Sequence, residues 1–60
     1  MNLWELFQKM VYLTREIDRR SLRKAKERNI SEIERLDREM DRLMADYLEL
    51  KHRLENINLD

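Results

Sequence analysis

Along the second half of the chain the apolar residues stand at Ile33, Leu36, Met40, Leu43, Tyr47, Leu50, Leu54 and Ile57. The gaps alternate between three and four, which is a heptad seam with both inner positions filled. Near the start, Leu3, Leu6, Met10, Leu13 and Ile17 follow the same alternation. Trp4, Phe7 and Val11 widen that first stripe beyond what a two-helix seam requires. The pattern predicts two amphipathic helices, each with a face to bury.

One continuous helix does not fit both stripes. Ile33 follows Ile17 by 16 residues, which at about 100° per residue sets the two stripes roughly 100–150° apart. The intervening seam positions, Arg20 and Lys24, are charged. A break near residues 29–31 lets each helix aim its own stripe inward. Ser31 with Glu34 forms an S-x-x-E capping box for a second helix. Asn29 suits the left-handed turn that ends a first one, and Asn29 with Glu32 offers an overlapping cap. Asn2 with Glu5 makes a similar box at the start. The chain contains no glycine and no proline, so the turn must be made by ordinary residues. The expected fold is all-α: an antiparallel helical hairpin with arms over about 2–28 and 31–57, forming a single domain over 1–60.

Size then bears on assembly. A 60-residue domain buries only about 60% of the surface its unfolded chain exposes, and chains this short usually need a staple. Without cysteine there is no disulfide and no thiolate metal site. The lone His52 cannot make a metal site by itself. One hairpin leaves Trp4, Phe7, Val11, Met44 and Leu48 without cover, so we expect a homodimer whose two hairpins form a four-helix bundle. Tyr47 is read as a seam residue with its hydroxyl at the edge, and His52 as an outward, solvated side chain. Trp4 and Phe7 compete between bundle core and the aromatic anchoring typical of interfaces.

Charge is divided unevenly between the two halves of the chain. Residues 1–29 carry eight basic and four acidic groups, and the rest five and nine. Arg15, Arg19, Arg20, Arg23, Lys24, Lys26 and Arg28 crowd the end of the first helix. Glu32, Glu34, Asp37, Glu39 and Asp41 gather at the start of the second, where an antiparallel hairpin would lay them alongside. Helix dipoles favour the same placement, so intramolecular pairing is the expected use. An alternative reading takes the basic face as a track for a phosphate backbone, although the formal net charge is zero.

No glycine-rich loop holds a nucleotide, the two serines have no histidine close in sequence, and so small a bundle has no room to desolvate paired carboxylates. We therefore expect no catalytic residue, no cofactor, no metal and no small-molecule ligand. No apolar run is long enough for a membrane span, and MNLWELFQKM lacks the basic start and continuous apolar core of a secretion signal. A complete, cytoplasmic small protein is the expectation. Its function would be to bind a protein partner, such as a transcriptional or signalling regulator, and modulate it by occlusion. Candidate contacts are Trp4, Phe7, Val11, Arg15, Arg19, Arg23 and Lys26.

The stretch LDREMDRLMADY, residues 36–47, resembles the second helix of short aspartyl-phosphate phosphatases from spore-forming bacteria. Those proteins are helical hairpins of this size with the signature Ser-Gln-Glu-Leu-Asp. Glu39 and Asp41 match it, Met40 keeps its hydrophobic position, and Asp37 and Arg38 replace the serine and glutamine. The glycine usual in that family's turn is absent. The resemblance implies that Glu39 and Asp41 face a phosphorylated response regulator and promote loss of its phosphate. The architecture also resembles small hairpin dimers of plasmids and phages, including a copy-number modulator that binds paired RNA loops.

Overall fold

The computed structural model describes residues 2–57. The expected single domain also includes residues 1 and 58–60, which lie outside the described residues. Two helices, α1 (Leu3–Lys26) and α2 (Ile30–Glu55), pack against each other as a hairpin measuring 50 × 14 × 14 Å. Both arms are shorter than the pattern implies. At the start, Asn2 is itself the cap: its Oδ1 accepts from the Glu5 N–H at 2.8 Å, which satisfies a backbone donor that has no intrahelical partner. At the far end Asn56 stops α2 with its N–H donated to the His52 carbonyl, so Ile57 lies beyond the helix.

The turn decides between the two overlapping caps and corrects one expectation. Asn29, not Ser31, caps α2, with Oδ1 accepting from the Glu32 N–H at 3.3 Å. Ser31 lies inside the helix. Asparagine and serine cap equally well, and starting at Asn29 gains the further bond from the Ile33 N–H to the Asn29 carbonyl. Nor is Asn29 left-handed: its φ is −80°, and no described residue has a positive φ. The chain leaves α1 through an extended Glu27, at φ −85° and ψ 141°. The Glu27 carboxylate accepts from the N–H groups of both Arg28 and Asn29, at 3.0 and 3.1 Å. A side chain therefore satisfies donors in the connection, and a three-residue turn closes without the glycine that a left-handed residue favours.

Leu6, Leu13, Leu36 and Leu50 are buried, Leu36 to 1% exposure. Met10, Leu43 and Tyr47 pack half-buried against the cluster of Leu6, Leu13 and Leu50. Ile17, Ile33 and Met40 are also half-buried. Toward the turn the seam becomes ionic: Arg20 Nε donates to Glu39 Oε1 at 2.9 Å, and Lys24 Nζ lies 2.6 Å from Asp37 Oδ1. The two charged residues that interrupt the first stripe therefore bridge the helices. At the open end Leu3, Leu54 and Ile57 remain exposed in the single chain. There each apolar side chain has one neighbouring helix at most.

Candidate protein-interaction surface

The two grooves between α1 and α2 differ in chemistry. One is charged over its whole length. Toward the turn it is lined by Glu16, Arg19, Arg20, Arg23 and Glu39 over Leu36, and toward the open end by Lys9, Asp46, Glu49 and Arg53 over Leu50. The opposite groove is lined by Phe7, Met10, Val11, Thr14, Tyr47 and Leu54, and it continues into an apolar recess made by Leu3, Trp4, Phe7 and Leu54. The hairpin thus has a charged flank and an apolar flank.

Ion pairs fill the charged flank. Glu39 accepts from Arg20 and from Arg35, and Glu32 accepts from Arg35 while Arg23 stands 3.8 Å away. Hydrogen bonding by Arg35 holds the Glu32 carboxyl below its usual range, with Arg35 and Arg23 adding charge attraction. For Glu39 the largest cause is the Arg20 hydrogen bond, again opposed by partial desolvation. Arg35 is raised in turn, chiefly through its bond to Glu32. Arg20 Nη1 also donates to the Glu16 carbonyl at 3.1 Å, which fixes the guanidinium between the helices. Such pairs add little stability singly, but together they orient the side chains of this flank toward one another.

The apolar flank has no such closure. Trp4 is 63% and Phe7 56% exposed, and their rings stack with centroids 6.1 Å apart. Met44 and Leu48 are exposed on α2, and Val11 is half-buried. Thr14 donates its hydroxyl to the Val11 carbonyl at 2.7 Å, so its polar group is satisfied on its own helix.

The cationic candidates divide between two roles. Arg23 reaches Glu32, and Arg19 pairs with Glu16 on its own helix at 3.6 Å. Arg15 and Lys26 make no ion pair among the described residues. At about 100° per residue, Trp4, Arg15, Arg19, Leu22 and Lys26 fall within roughly 60° on the outer face of α1. The structure adds three exposed residues that periodicity does not single out: Tyr12, Leu22 at 66% and Ile30 at 72% exposure. The available signal was spacing, since Leu22 repeats Trp4, Val11 and Arg15 at helical intervals. His52 is exposed, with Asn56 Nδ2 3.0 Å from its Nε2. Of the two positions carrying the phosphatase resemblance, Glu39 is held by Arg20 and Arg35, while Asp41 is exposed.

Comparisons with protein-family models, with curated proteins and with solved structures gave no match. No helix among the described residues is long and apolar enough to cross a membrane.

Proposed function

We propose that this chain is a non-enzymatic helical-hairpin module that dimerises into a four-helix bundle and binds a regulatory protein, which it modulates by covering a functional surface. The observation that carries this reading is the apolar flank. Leu3, Trp4, Phe7, Met44 and Leu48 stand exposed in a chain with very little core, and a domain this small gains most from covering such a face. A second hairpin covers the flank. The outer face of α1, with Tyr12, Arg15, Arg19 and Lys26, remains for the partner. Aromatic anchors ringed by arginine are the groups that dominate protein interfaces, and their charge selects an acidic patch.

The test is affinity capture from the source cell with nuclease present, comparing the native chain with an Arg15→Glu, Arg19→Glu variant. The reading expects one protein, retained at stoichiometric level by the native chain and lost by the variant. Retention of nuclease-sensitive material instead, falling steeply with salt, would assign the same face to nucleic acid and overturn it. Should the captured protein be a response regulator whose phosphate is lost faster, and should Glu39→Gln and Asp41→Asn abolish that effect, the phosphatase resemblance would replace occlusion.

A further inference from the structure

We infer that the occupant of the apolar flank is a second copy of this chain lying antiparallel to the first, with α1 on α1, α2 on α2 and the two turns at opposite ends. This rests on the dimeric reading above and fixes its geometry. A two-fold axis that stacks flank on flank has two settings. With the axis along the helices, both turns lie at one end and α1 faces the partner's α2. With the axis across the helices, each helix faces its own copy, reversed.

The residues along the flank decide between the settings. On α2 one stripe, at heptad steps, reads Ile30, Asp37, Met44, Lys51. Reversed about Met44, it is self-complementary: Met44 meets its copy, and Asp37 meets Lys51 on both sides of the axis. On α1 the matching stripe reads Phe7, Thr14, Ser21. Reversed about Thr14, the large Phe7 meets the small Ser21, and Leu3 falls opposite Ala25. Large against small is how facing layers interdigitate.

One axis can serve both helices only if Thr14 and Met44 stand at the same height. The cross-helix pairs Arg20–Glu39, Lys24–Asp37 and Arg23–Glu32 join residues whose numbers add to between 55 and 61, centred on about 58, an α-helical rise of 1.5 Å holding on both sides. Thr14 is therefore level with Met44. Under the other setting, Lys51 would lie on Phe7 and Asp37 on Ser21, so neither charge would gain a counter-charge from the partner.

Exposure and area agree. Asp37 and Lys51 keep side-chain exposures of 45% and 53% in the single chain. Lys24 occupies Asp37 Oδ1, which leaves Oδ2 for the partner. Lys51 has only a 3.9 Å contact to Glu55. A flank measuring 50 × 14 Å offers a footprint on the order of 700 Å², close to the ~800 Å² per partner of a stable interface. Reversal also brings the exposed Ile30 at each turn toward the apolar open end of the other copy.

Because the chain has no cysteine, single cysteines report the geometry. Met44→Cys should oxidise to a disulfide-linked dimer. Asp37→Cys alone should not, because reversal holds its two copies about 20 Å apart, beyond the ~7 Å Cα separation a disulfide spans. A mixture of Asp37→Cys and Lys51→Cys chains should link as the heterodimer. Self-linking of Asp37→Cys as efficient as that of Met44→Cys would overturn the antiparallel setting. A chain that sediments as a dimer yet links at none of these sites would show that another face is used. A chain that is monomeric at all concentrations would remove the dimeric reading itself. A charge reversal checks the result without cysteine: Lys51→Asp should raise the dimer dissociation constant about tenfold through two like-charge contacts with Asp37 of the other copy. Lys51→Arg should leave it unchanged, and an unchanged constant in Lys51→Asp would overturn the pairing.

Discussion

Residues 27–34 contain two overlapping capping signals, and only one of them is used. The structure assigns the work to Asn29, whose side chain accepts from the Glu32 N–H, and places Ser31 in the first turn of α2 with its side chain exposed. Replacing Asn29 by alanine removes an acceptor from a helix N-terminus, a change that costs about 1 kcal/mol within a range of roughly 0.5–2. Replacing Ser31 by alanine removes nothing that caps the helix and raises helix propensity, a gain of up to about 0.5 kcal/mol. The two substitutions should therefore move stability in opposite directions. For a domain of this length, 1 kcal/mol corresponds to roughly 4–8 °C in Tm.

Urea and thermal unfolding followed by far-ultraviolet circular dichroism would measure the difference. All variants must be compared at one protomer concentration, since association makes apparent stability depend on it. The expected order is Ser31→Ala at or slightly above the native chain, and Asn29→Ala clearly below. If Ser31→Ala cost as much as Asn29→Ala, α2 would begin two residues later than described and the three-residue turn would be wrong.

Other expectations can be checked on the same footing. Leu36→Ala, at the most completely buried side chain, should cost about 2–5 kcal/mol and unfold the chain or lower its urea midpoint sharply; a loss below 1 kcal/mol would mean the helices are not packed as described. Glu27→Ala frees the Arg28 and Asn29 N–H groups and should cost about 0.5–1.5 kcal/mol, whereas a neutral outcome would show that water replaces the carboxylate. Glu32 and Glu39 have folded pKa values below their ordinary ones. Their contribution is present above the unfolded carboxylate pKa of about 4.3 and is lost as pH falls through the lower folded values. Stability should thus decline on acidification below about pH 4, and Glu39→Gln should flatten that decline. An unchanged pH profile in Glu39→Gln would remove Glu39 from the linkage.

Some of this architecture could be read from residue types alone. The unbroken three–four alternation from Ile33 locates the inner face of α2, where Leu36 and Leu50 are buried and Leu43 and Tyr47 half-buried. The opposite charge of the two arms near the turn anticipates Arg20–Glu39 and Lys24–Asp37, because antiparallel packing leaves those side chains nowhere else to meet. Which of two good caps is used was not legible. Asn29 and Ser31 have equal intrinsic merit, and the choice depends on a Glu27 carboxylate closing the connection from outside either motif.

The apolar flank was legible only in part, for a geometrical reason. Trp4, Phe7 and Val11 visibly widen the first stripe, but Leu22 and Ile30 look like isolated departures until the direction of the neighbouring helix is known. A single exposed leucine is ordinary; several on the side facing away from the charged groove form a surface. The heptad steps of Phe7, Thr14, Ser21 and of Ile30, Asp37, Met44, Lys51 were likewise present in the sequence. Their symmetry means nothing while the two helices can slide past each other, since a slip of one turn, about 5.4 Å, separates the two centres and no single axis serves both. The cross-helix ion pairs remove that freedom. They set Thr14 level with Met44, and only then do two stripes on different helices define one surface complementary to itself.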